Sequence, residues 1–235
     1  MFIHLILFFF LLILLFAISK KISSNIYALV FLISKSEKVA LYSLSFLFLP
    51  GTIIHEVSHF ILATLLKVPT GELSVLPKVE KSGEVKAGKL EIGNVDPFRR
   101  TLVGISPLIS GLIIIYLVGH YLLPNNFSWA SINPLLLFIT GYLLFVVTTT
   151  MFSSKKDLES LIIAGPITLL IFIAFYFLGV RVFFSEALSE KIGLVFGNLN
   201  FYLGFASGVN LIIFTLLHLK LIFWQKILKR KIQSF

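Results

Sequence analysis

Long apolar runs separated by short polar ones set the pattern of this chain. Six of them come near the ~20 residues a helix needs to cross a bilayer. They run roughly from Phe2 to Ser19, Val39 to Leu66, Thr101 to Leu123, Ile132 to Phe152, Leu158 to Val180, and Tyr202 to Trp224. The pattern predicts an all-α polytopic membrane protein of about six transmembrane helices. No internal repeat or low-complexity linker divides it, so residues 1–235 read as a single membrane-embedded domain. Ile26 to Ile33 is a shorter apolar patch that either lies at the interface or extends the first helix. The first run also fits a signal peptide cleaved near Ala17-Ile18-Ser19. No Lys or Arg precedes it, which favours a retained helix.

The one sizeable polar segment is Lys67 to Arg100. Within it, Gly71 to Val79 and Glu84 to Ile92 flank Lys81-Ser82-Gly83, and apolar residues alternate with charged ones around Gly88. This predicts a small β-hairpin between the second and third helices, with Gly88 as a bulge, against the plainer reading of an irregular loop. Charges between the apolar runs set the orientation. Lys67 to Arg100, Lys155 and Lys156, and the tail after Leu219 carry fourteen of the 20 Lys and Arg. With six spans these share one side, which makes both termini and the hairpin cytoplasmic. Lys20, Lys21, Lys35 and Lys38 argue mildly the other way.

Composition narrows the class. Hydrophobic residues make up 57% and charged ones 13%, with a mean hydropathy of +0.99. Soluble domains average about 45–50% apolar and about 25% charged, so an ordinary soluble enzyme, a disordered chain and a coiled coil are excluded. The absence of cysteine removes disulfides, iron–sulfur sites and thiol nucleophiles, and leaves His and carboxylates as the metal ligands. The net charge of +9 forms no patch interleaved with aromatics, so it reads as basic loops and no nucleic-acid partner is expected.

The strongest chemical signal is His55-Glu56-Val57-Ser58-His59, an HExxH within the second apolar run. On a helix, positions i and i+4 share a face, so both imidazoles can bind one metal ion, with Glu56 beside them as a base. With five His and nine Glu in 235 residues, chance supplies about 0.004 such matches. Each ionisable residue inside a membrane helix costs about 2.5–3.5 kcal/mol, so this cluster needs a partner, and a zinc ion is one. A hydrogen-bonded polar cluster is the bland alternative. His59 precedes Lys67 by eight residues, or about 12 Å of helix, which sets the metal inside the bilayer toward the cytoplasmic face. Pro50-Gly51, a turn before the motif, are expected to kink or open the helix.

Catalytic zinc takes three protein ligands as a rule. Asp157, at the junction of the fourth and fifth runs, is the first candidate for the third, and Glu159 the second. The competing reading of Asp157 is an interfacial carboxylate beside Lys155 and Lys156. His120 falls at the far end of the third helix. His4 and His218 read as interfacial or packed histidines, and Asp96 as a helix cap or a partner of Arg99 and Arg100. Gly104-Ile105-Ser106-Pro107-Leu108 and Gly111 mark the third run as a tightly packed helix.

On these residues the chain resembles the site-2 protease family of intramembrane zinc metalloproteases. The likeness covers about Val39 to Pro166, which would be the catalytic core. It implies His55, His59 and Asp157 as zinc ligands and Glu56 as general base. It also implies hydrolysis of peptide bonds in membrane-protein substrates, single-pass ones first, in the plasma (inner) membrane. The hairpin would hold the unwound substrate. Family members carry an asparagine, prolines and Leu-Asp-Gly around the third ligand. Here Thr149 to Leu158 keeps the spacing without those residues, as a divergent branch would. The alternative is a non-proteolytic metal-binding membrane protein, either a transporter or a silent scaffold.

Overall fold

The structure is a computed structural model. It describes residues 2–75, 78, 79, 85, 86, 89–93, 95–123, 133–152 and 185–227, with 166, 170, 171, 173–175 and 177–179 between the last two segments. Helices dominate. In chain order they are α1 (Phe2–Ser34), α2 (Glu37–Leu47), α3 (Leu49–Leu65), α4 (Pro97–Leu122), α5 (Pro134–Thr150) and α6 (Glu186–Ile227). The architecture is that of an all-α membrane protein. Among the described residues three helices are long and apolar enough to cross a membrane, namely α1, α4 and α6. A fourth span is reached if α2 and α3, bent by 71° at a short break, count as one. The expectation of about six spans is therefore not met among these residues. The α5 helix is a shorter apolar helix, and the run from Leu158 to Val180 lies largely outside the described residues.

The differences from the apolar pattern have local causes. The patch from Ile26 to Ile33 extends α1, because Ile22, Ile26, Ala28 and Leu32 are buried by packing against other helices. At its other end of the chain, α6 begins at Glu186, well before Tyr202. Ser185 accepts from the Leu188 amide through its hydroxyl at 3.3 Å and starts the helix. The resulting 42 residues make about 63 Å of helix.

The α1 and α6 helices run side by side in the same direction. In the N-terminal half of each, Asn200 Nδ2 donates to His4 O at 2.8 Å and Phe8 meets Phe196 edge-on. Toward the other end, Ala28 and Leu32 cluster with Leu221. Six up-and-down spans would make the first and last helices antiparallel, which is not the arrangement of α1 and α6. Leu15, Ile115, Leu144 and Leu203, one from each of α1, α4, α5 and α6, lie in the central core.

The polar segment forms a hairpin. β1 (Thr70–Ser74) pairs antiparallel with β4 (Lys89–Ile92), and β2 (Lys78–Val79) with β3 (Val85–Lys86). The irregularity lies in β1, where Thr70 opposes Ile92 and Leu73 opposes Leu90, so Gly71 and Glu72 take the extra step. The expected bulge at Gly88 lies outside the described residues. Gly93 N donates to Pro69 O at 2.9 Å and closes the base of the hairpin between α3 and α4. Asp96 caps α4, accepting from the Arg99 amide at 3.0 Å and pairing with Arg99 Nε at 3.4 Å, as expected of it.

Candidate metal centre

The HExxH residues lie on α3, which starts immediately after the 71° bend. Pro50 occupies its first turn, where the missing N–H costs nothing. The second apolar run is thus kinked at this point, as expected, and Pro50 opens the helix that follows the bend. Tyr142 of α5 donates its hydroxyl to Leu47 O, the last carbonyl of α2, at 3.0 Å. From there α3 and α5 pack in a constant register, with Leu47 on Tyr142, Gly51 on Val146 and His55 on Thr150. Each step advances four residues on both helices. Gly51 permits the approach. A Cβ there would collide with Thr150 Oγ1 and come within 2.7 Å of Val146 Cγ1. On the other flank, a Cβ on Gly111 of α4 would stand 3.1 Å from Met151 at the end of α5. The expectation of tight packing for this helix holds at that residue.

His55, Glu56 and His59 are all buried, at 4%, 9% and 6% exposure. The two imidazoles meet edge to face with centroids 4.8 Å apart. Their Nε2 atoms stand 3.2 Å apart. Each Nδ1 points the other way, onto a backbone carbonyl: His55 Nδ1 onto Thr150 O at 3.0 Å, and His59 Nδ1 onto Val103 O at 2.8 Å. A carbonyl oxygen can only accept, so both Nδ1 atoms carry the hydrogen, and in the neutral rings both Nε2 atoms present lone pairs. Two lone pairs that converge at this distance are suited to sharing one cation.

Zinc fits that pair. With Zn–N distances of about 2.0–2.1 Å and tetrahedral angles, two ligand nitrogens on one zinc stand about 3.3 Å apart. Carbonyl support of the second ring nitrogen is also how metal-binding histidines are oriented in general.

The two carbonyls come from α5 and α4. Thr150 closes α5, and the last carbonyls of a helix have no intrahelical donor. Val103 lies inside α4, where it also accepts from Ser106 Oγ at 2.7 Å. Ser106 Oγ in turn stands 3.2 Å from His59 Nδ1, so that N–H is shared between carbonyl and hydroxyl.

Other candidates fall elsewhere. Asp157 and Glu159 lie outside the described residues, and among the described ones no group of three His, Asp or Glu converges. His120 stacks on Tyr116 toward the end of α4, and His218 on Phe214 in α6. Sequence reasoning missed three contributors to the centre. Ser106 looked like packing, Thr150 like spacing, and Gly51 like a flexible joint. It also missed Asn210 of α6, which is 1% exposed and donates to Thr148 Oγ1 at 2.9 Å, tying the last turn of α5 to α6. Comparison with family models, curated proteins and solved structures finds no match.

Proposed function

We propose that the chain is an intramembrane zinc metalloprotease of the site-2 protease kind. It would hydrolyse peptide bonds of membrane-protein substrates, single-pass ones first. The observation that carries this reading is the 3.2 Å Nε2 pair with both Nδ1 atoms committed to carbonyls. His55 and His59 would hold the zinc, with Asp157 as third ligand and Glu159 as its substitute. When bound, zinc supplies the Lewis acidity that makes water nucleophilic and polarises the scissile carbonyl. Glu56, on the same helix, accepts the proton of the attacking water and returns it to the amine leaving group. Its burial excludes bulk water from that transfer. The substrate helix must unwind first. Among the described residues β1 pairs with β4, and this hairpin is the element that would take up an extended segment by strand addition. The plasma membrane and a site toward the cytoplasmic face belong to the same proposal.

The test is zinc content of the detergent-purified protein, joined to cleavage of a reconstituted single-pass substrate. About one zinc per chain, lost in Asp157→Ala, is the expected result for a site with three protein ligands. Glu56→Gln should keep the zinc and lower cleavage by about 10²–10⁴-fold, the usual worth of a general base. Zinc-dependent ion uptake without cleavage would replace the protease by a transporter. A folded wild type that takes up no zinc would end the metal reading.

A further inference from the structure

Pro107 is fully buried inside α4, where proline is the least favourable of all residues. Its position relative to His59 gives it a purpose. In an unbroken helix the N–H of residue 107 donates to the carbonyl of residue 103. Proline has no N–H, so Val103 O loses its helical donor. Val103 is itself 0% exposed, and a buried carbonyl left without a donor is costly. It is re-partnered twice, by Ser106 Oγ at 2.7 Å and by His59 Nδ1 at 2.8 Å. We infer that Pro107 is a positioning residue for His59. By withholding one backbone hydrogen it keeps a carbonyl open for the imidazole, and so turns Nε2 toward His55. This rests on the metal reading of the pair, but the orientation itself does not need a metal to be seen.

The decisive variant is Pro107→Ala. Alanine restores the N–H and is the best helix former, so a merely structural proline and a positioning one give opposite results. Two measurements are made on each protein. Imidazole ¹⁵N NMR of the metal-free protein reports the His59 tautomer, and competition with a chelator reports zinc affinity. In the wild type the Nδ1–H form should be fixed. In Pro107→Ala it should relax to a mixture, with zinc affinity down by about 10–100-fold, the usual cost of losing an outer partner, and with a thermal midpoint equal to or above the wild type. A backbone ester at position 107, introduced as an α-hydroxy acid, again lacks the N–H and should restore both readouts.

An unchanged tautomer and affinity in Pro107→Ala would overturn the inference. A lowered thermal midpoint with no rescue by the ester would also overturn it, by making the proline structural. If the wild type binds no zinc while the tautomer still depends on residue 107, the positioning stands and the metal reading falls.

Discussion

His55 and His59 are held by the same kind of atom, supplied in two ways. His55 uses Thr150 O, a carbonyl left over because α5 ends there. His59 uses Val103 O, a carbonyl in the middle of α4 that a helix would normally consume. A terminal carbonyl needs only correct placement, and the placement comes from the register of α3 on α5, through Gly51. An internal carbonyl needs a residue that gives up its hydrogen. One histidine therefore depends on packing and the other on covalent chemistry, and substitutions can separate the two.

The largest effect is expected from His55→Ala and His59→Ala. Each removes a proposed ligand, so the loss of zinc affinity should exceed the about 10–100-fold typical of outer partners. If one of them retains zinc at wild-type affinity, the pair is not the centre.

Gly51→Ala comes next. Its Cβ has to displace Val146 and Thr150, at a cost of about 1–3 kcal/mol in stability for an overpacked core. Zinc affinity should fall with it, because His55 loses its carbonyl. Gly111→Ala meets the flexible Met151 instead and should cost less. Equal costs in thermal unfolding would mean that the α3–α5 register is not special.

Tyr142→Phe removes the hydroxyl on Leu47 O and should cost about 1 kcal/mol, with zinc affinity little changed. A large change in affinity would show that the bend, and not the register below it, sets the histidine. The smallest effect is expected from Ser106→Ala. His59 keeps Val103 O at 2.8 Å, so its zinc affinity should fall by less than about tenfold, the low end for an outer partner. A greater fall would assign the orientation to the hydroxyl rather than the carbonyl.

The same contrast explains what the sequence could show. HExxH was legible because its function lies in residue types at a fixed local spacing. The tight packing of α4 was legible from Gly111 and its neighbours. The carbonyl partners were not, because every residue carries a carbonyl and only the fold decides which ones lack a donor. Pro107 was visible, but its use depends on where the fold brings His59, whose Nδ1 reaches Val103 O at 2.8 Å. Hydropathy found the apolar runs, but among the described residues it did not give the number of spans. It registers how apolar a run is, and the bent α2–α3 pair is as apolar as a straight helix. The length of α1 and of α6 came from mutual packing, which neither run discloses by itself.

The shared direction of α1 and α6 carries a parity argument. If both helices cross the membrane, the chain leaves α1 on one face and must enter α6 from the other. The intervening residues, 35 to 185, then cross an odd number of times. Four interior apolar runs cannot then all be full crossings, and among the described residues the bent α2–α3 pair and the short α5 are the ones whose geometry allows a turn back partway. A helix that turns back partway ends at depth, and α5 ends at Thr150, on the carbonyl that holds His55. Reporter tags at residues 2 and 227 would then be found on opposite faces of the membrane.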